Sequence, residues 1–142
     1  MKILLAACNA KYIHSNLAVY DLRAYASAYQ EHILLGEYTI NQTKDEILKD
    51  IYLSGADVVC FSCYIWNISF VRDLLEDLHK ILPDVKFWTG GPEVSFDAEA
   101  FLRRTPQVTG VMVGEGEKTF LELVRYYVDG VGTLCQKCMD GM

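Results

Sequence analysis

Five short runs rich in apolar and β-branched residues alternate along this chain with segments of helical periodicity. The first, Lys2–Ala7, is apolar without interruption, as a parallel strand covered on both faces must be. His32–Ile40, broken by Gly36, is the second, followed by Asp57–Ser62, Val85–Trp88 and Gln107–Val113. Strands that alternate with helices leave one economical solution, a parallel sheet with helices packed on both sides.

The connecting segments carry their own start and stop signals. Ser15 or Asn16 can cap a helix whose buried side is read as Leu17, Tyr20, Leu22, Ala24 and Ala28. Thr43 stands three residues before Glu46, the spacing of a capping box, and opens a helix to about Leu53 that Gly55 ends. Asn67 or Ser69 starts a third helix, apolar at Val71, Leu74, Leu75, Leu78 and Leu82 and stopped by Pro83. A short helix at Ala98–Arg103 and a longer one from Glu117 to about Val128 complete the set, the latter with Phe120, Leu121, Leu123, Val124 and Tyr127 inward. The expected fold is α/β, a Rossmann-like (flavodoxin-type) doubly wound five-stranded parallel sheet in the order 2-1-3-4-5. The expected domain is residues 1–130. Residues 131–142, rich in glycine and without periodicity, read as a linker or the start of a following domain.

Charge and composition narrow the function. The chain has 142 residues, room for one domain with a sizeable core. A net charge of -6 opposes a nucleic-acid surface, which needs a basic face. No apolar run approaches the roughly 20 residues of a membrane span. Met1–Cys8 reads as a buried strand rather than a signal peptide, which places the protein in the cytoplasm. Cys8, Cys60 and Cys63 sit in apolar contexts and read as small core residues. Cys135 and Cys138 form a lone C-x-x-C, which can supply half of a zinc site or a redox pair, but a complete zinc site needs four ligands and the tail from Gly132 to Met142 offers no other cysteine or histidine.

Ligands of open α/β sheets bind at the carboxyl ends of the strands, so the loops there are the candidate site. Phe87-Trp88 leads into Thr89-Gly90-Gly91-Pro92-Glu93, and Gly110–Val113 into Gly114-Glu115-Gly116-Glu117. Both turns can admit a ligand close to the backbone, or can serve only as tight turns. The sequence has no Walker A motif and no complete G-x-G-x-x-G, and Glu115 and Glu117 would repel a pyrophosphate. Ser62 can donate to a ligand or can cap the next helix. Tyr64 and Trp66 can be core lids or a platform for a flat ligand. His14, in the loop after the first strand, can ligate a metal or cap a helix.

Taken together, Asn9-Ala-Lys-Tyr-Ile-His-Ser-Asn-Leu-Ala18, Phe61-Ser-Cys-Tyr-Ile-Trp-Asn67, Gly90-Gly-Pro-Glu-Val-Ser95 and Gly114-Glu-Gly-Glu117 resemble the amino-terminal cobalamin-binding domain of cobalamin-dependent radical S-adenosylmethionine enzymes. The resemblance covers roughly Met1 to Val128. It implies a sheet that holds the cobalamin ring over its carboxyl edge and buries the nucleotide tail between sheet and helices. It places Ser62 near the tail, gives Gly90 and Gly91 the task of making room for it, and draws backbone and carboxylate contacts from Gly114, Glu115, Gly116 and Glu117. Tyr64, Pro92 and Glu93 are counted with these cofactor-binding residues.

Other cobalamin-binding domains carry D-x-H-x-x-G in the first loop, with the histidine on cobalt. Here the register is Tyr12-Ile-His14-Ser-Asn-Leu17, so the histidine stays while Tyr12 and Leu17 replace the aspartate and glycine. His14 is therefore a candidate lower cobalt ligand without the aspartate that usually orients the imidazole. The C-x-x-x-C-x-x-C that would hold a 4Fe-4S cluster does not occur in this sequence. The resemblance thus implies a cofactor-binding module, non-catalytic alone. S-adenosylmethionine and the cluster would belong to a following radical S-adenosylmethionine domain of the same polypeptide. The competing expectation is a Rossmann-like regulatory or flavin/nucleotide-binding module without cobalamin. A phosphoacceptor receiver would want aspartates where Asn9 and Ser62 stand.

Overall fold

A computed structural model describes residues 1–9, 17–39, 42–64, 67–91, 94, 97–113, 116–130 and 138–140. The strands are β1 (Ile3–Asn9), β2 (Ile33–Thr39), β3 (Val58–Ser62), β4 (Lys86–Gly90), β5 (Gly110–Met112) and β6 (Cys138–Asp140). The helices are α1 (Leu17–Tyr25), α2 (Lys44–Ser54), α3 (Ile68–Ile81), α4 (Ala98–Arg104) and α5 (Gly116–Asp129), with a 3₁₀ segment at Ser27–His32. The sheet order is β2-β1-β3-β4-β5-β6, the first five strands parallel. The expected five-stranded parallel sheet is therefore present. The sixth strand is an addition: Cys138–Asp140, inside the segment read as aperiodic, pairs antiparallel with Met112–Gly110 at the edge.

Burial follows from the alternation of side chains along each strand. On one face Leu4, Ala6, Cys8, Val59, Phe61, Phe87 and Val111 pack against α2, α3 and α4. On the other, Ile3, Leu5, Ala7, Val58, Cys60, Trp88 and Met112 pack against α1 and α5. All seven residues of β1 are buried, as its unbroken apolar run requires.

Local chemistry sets the helix ends. Thr43 Oγ1 accepts from the Glu46 N–H at 3.2 Å, and Gly55 closes α2 at φ 69°. The α3 face Val71, Leu74, Leu75 and Leu78 is fully buried, and the helix stops before Pro83. Only α1 differs in its buried side. Val19 and, partly, Leu22 face the sheet, whereas Tyr20 is 38% exposed and Ala24 and Ala28 lie outward. The helix ends at Tyr25, and Tyr29 leaves helical geometry at φ -113°, so one 3.6-residue period does not run through to Ala28. The Tyr20 hydroxyl instead donates to Glu37 Oε2 of β2 at 2.9 Å. Among the described residues no helix is long and apolar enough to cross a membrane.

Candidate functional site

β2 and β3 flank β1 on opposite sides, so the chain reverses its direction of winding at the carboxyl ends of β1 and β3. Strand register puts Ala7, Ser62, Gly90 and Met112 in one row there. By alternation with Val58 and Cys60, Ser62 belongs to the face covered by α1 and α5. The row two residues earlier on that face is Leu5, Cys60 and Trp88, a floor closed by the hydrogen bond from Trp88 Nε1 to Tyr127 Oη at 2.9 Å. From Ala7 to Gly90 the upper row holds nothing larger than a serine. A Cβ added at Gly90 would meet Met112 Cε at 3.3 Å, so a side chain here would crowd the end of the row.

The loops beyond this row are laced by Asn67. Its side chain is 1% exposed; Nδ2 donates to the Cys8 carbonyl at 3.0 Å and to the Ser62 carbonyl at 3.1 Å, while Oδ1 accepts from the Tyr64 N–H at 2.7 Å. One amide thus ties together the ends of β1 and β3 at the point of reversal. Asn67 stands at the N-cap of α3, as expected, yet makes no side-chain cap bond, because all its capacity goes to the strand ends. The alternative in which Ser62 caps α3 falls with this, since the cap position is Asn67. Sequence reasoning missed the bracket: the asparagine read as a helix start, and only the fold brings the Cys8 carbonyl to it.

Gly91 answers a demand within the protein. It has φ 105°, and a Cβ there would lie 2.4 Å from the Cys63 carbonyl oxygen. The Cys63 N–H donates to the Gly90 carbonyl at 2.7 Å, locking the turn after β4 to the turn after β3. The space Gly91 leaves is therefore filled by backbone, whereas Gly90 lies in the row of small residues with Ala7 and Ser62.

Tyr64 is half-buried at the start of the α3 turn. Gly116 opens α5, and Glu117 is exposed in its first turn, where a carboxylate is favoured by the helix dipole. Tyr12, His14, Trp66, Pro92, Glu93, Gly114 and Glu115 lie outside the described residues, as does Cys135. Cys8, Cys60 and Cys63 are buried in the core. Burial pushes the Cys8 thiol up to about 12, so it stays protonated and is a core residue rather than a metal ligand or nucleophile. Among the described residues no cluster of three or more His, Cys, Asp or Glu side chains could hold a metal ion.

On α5, which packs on the same sheet face, Thr119 sits in the first turn beside Phe120, and both are fully buried. Among the described residues its hydroxyl has no hydrogen-bond partner. Small side chains on the sheet and an unpartnered hydroxyl on the covering helix fit an extended polar group entering between them.

The B12 binding domain family matches residues 3–124, which include every strand of the parallel sheet. This chain belongs to that family. Over 68 residues the B12-binding domain is 34% identical to the cobalamin-dependent radical SAM methyltransferase TokK of Streptomyces tokunonensis, covering 48% of this chain and 10% of TokK. Over 72 residues it is 35% identical to 2-(S-pantetheinyl)-carbapenam-3-carboxylate methyltransferase of Streptantibioticus cattleyicolor, covering 51% of this chain and 11% of that protein. Those matches span about a tenth of each relative's length.

Among solved structures the domain is similar to the cobalamin-dependent S-adenosylmethionine radical enzyme OxsB. The TM-score is 0.69 at 18% identity, over 92% of this chain and 19% of OxsB. A cobalamin-binding protein from Desulfitobacterium hafniense DCB-2 matches at TM-score 0.62 and 15% identity, over 92% of this chain and 59% of that one. A CheY-like protein, TadZ of Pseudomonas aeruginosa PAO1, matches equally well at TM-score 0.62 and 14% identity, over 95% of this chain and 100% of that one. These likenesses show the fold, and the fold alone does not separate a cofactor carrier from a receiver. The family match makes that separation: the domain is a cobalamin-binding one, similar to those of cobalamin-dependent radical SAM methyltransferases.

Proposed function

We propose that this B12-binding domain is the cofactor-carrying module of a larger radical S-adenosylmethionine enzyme that transfers methyl groups or performs related radical chemistry. The reading rests on the B12 family match across residues 3–124, and the methyltransferase relatives point to the chemistry. In this reading the module works in the cytoplasm and catalyses nothing alone. The 4Fe-4S cluster and S-adenosylmethionine belong to a partner domain carrying the C-x-x-x-C-x-x-C that this sequence lacks. Bound cobalamin would supply the cobalt chemistry, and the protein its orientation and axial environment.

This chain's own residues then have defined tasks. Ala7, Ser62 and Gly90 would keep the last row small enough for the tail to lie between sheet and helices, and Asn67 would hold the adjoining loops in shape. The backbone and carboxylates of Gly114, Glu115, Gly116 and Glu117, with Tyr12, Tyr64, Pro92 and Glu93, would supply further cofactor contacts from the loops. Purified chain mixed with hydroxocobalamin should carry its colour through gel filtration, and Gly90→Val should lose most of it. Equal retention by the two proteins would remove Gly90 from the site.

His14 is the candidate lower ligand, and we favour its covering the ring without ligating cobalt, because Tyr12 and Leu17 replace the residues that orient an imidazole and admit the tail. On this view His14→Ala leaves the visible spectrum of bound cobalamin unchanged. A clear spectral shift on substitution, reproduced by acidification of the unsubstituted protein, would show ligation instead.

A further inference from the structure

We propose that Thr119 is a specificity-determining residue of this domain, its hydroxyl donating a hydrogen bond to an acceptor atom of the cofactor's nucleotide tail. The inference rests on the cobalamin reading above and goes beyond it by assigning a task to a residue of the covering helix. A buried hydroxyl without a partner is costly, and such groups in a folded protein ask for an explanation. Thr119 is fully buried and without a partner among the described residues, and it sits in the first turn of α5, which begins soon after β5 ends at the carboxyl edge.

Its neighbours Phe120 and Leu123 place that side of α5 against the same sheet face as Ala7 and Met112. The opposing row is the one kept small at Ser62 and Gly90. Thr89 also carries an unpartnered buried hydroxyl, but by alternation with Trp88 it faces the other side of the sheet, in register with Phe61 and Val111, where large side chains pack to the edge. Position on the face covered by α5 therefore distinguishes the Thr119 hydroxyl from that of Thr89. An acceptor on an incoming tail, a phosphate oxygen or ring nitrogen, would satisfy the hydroxyl that the protein leaves unsatisfied.

The test compares hydroxocobalamin with dicyanocobinamide, a corrinoid lacking the nucleotide tail, by equilibrium dialysis against the 142-residue chain. Thr119→Val keeps the shape and removes the hydroxyl. It should weaken hydroxocobalamin on the order of tenfold, the worth of one buried hydrogen bond, while leaving dicyanocobinamide unchanged. Without corrinoid the variant should melt at the same temperature as the parent or higher, since an unsatisfied group has gone. Thr119→Ser restores the hydroxyl and should restore the preference for the tailed corrinoid. Equal loss of both corrinoids in Thr119→Val, or no loss of either, would overturn the assignment while leaving the cobalamin reading in place. Failure of the unsubstituted chain to bind either corrinoid would overturn the cobalamin reading and this inference with it.

Discussion

The two faces of the sheet reach the carboxyl edge differently. On the face covered by α2, α3 and α4, Phe61, Phe87, Val111 and Cys63 fill the layer to the end of the strands. On the face covered by α1 and α5, Trp88, Leu5 and Phe120 fill the lower part, and the last row falls to Ala7, Ser62 and Gly90, closed at its end by Met112. Both faces are dense where they must hold the fold, and on the face of α1 and α5 the side chains from Ala7 to Gly90 are small at the carboxyl edge. Close packing costs several kcal/mol when interrupted, so a protein makes room for a cofactor at the end of one layer and leaves the other intact.

That contrast can be broken experimentally. Phe61→Ala, on the filled face, should lose about 3–5 kcal/mol of stability in urea denaturation, the range for emptying a buried aromatic site. A loss below about 1 kcal/mol would show that this face is as loosely packed as the other. Asn67→Ala should cost about 2–4 kcal/mol, because the carbonyls of Cys8 and Ser62 and the N–H of Tyr64 lose their partner together. It should also weaken cobalamin retention, whereas Phe61→Ala should affect retention only in proportion to unfolding. Equal effects on binding at equal folded fraction would dissolve the distinction between bracket and core.

The smallest effect belongs to the outer surface of the filled face, where Lys44 of α2 reaches Asp77 at 2.5 Å and Asp73 at 3.1 Å on α3. The hydrogen bond from Lys44 holds the Asp77 carboxyl below its ordinary value. A depressed carboxylate stabilises the fold above its unfolded value, and that contribution disappears as pH falls through the lower folded value. Lys44→Ala should flatten this acid-side slope slightly, and salt should do the same to the parent. An unaltered slope would mean that the pair adds nothing to the joint between α2 and α3.

Much of this architecture was legible because its causes are local. The Thr43, Glu46 and Gly55 signals on α2 depend on residues a few positions apart, and they act where the sequence puts them. The α3 stripe repeats with one period over a whole helix and lands on the core. The inner side of α1 was misjudged because the helix is short and gives way to a 3₁₀ segment, so its periodicity covers too few turns to set a phase. The β5 run was expected over Gln107–Val113 but pairs as a strand only at Gly110–Met112. The edge strand β6 escaped notice because three residues show no alternation, and their pairing depends on Met112–Gly110 being nearby.

By itself the sequence determined the parallel sheet, the order of its elements, and the loops that gather at the carboxyl edge, since periodicity and capping are properties of neighbours in the chain. It also marked Ser62 and Gly90 as residues of that edge. Tertiary structure alone decided what those positions face. Gly91 proved to make room for the Cys63 backbone, Asn67 to join two strand ends 59 and 5 residues away, and Thr119 to carry a buried hydroxyl with no partner among the described residues. Each depends on atoms brought together from separate segments, and the distance between such atoms is fixed by packing rather than by position in the chain.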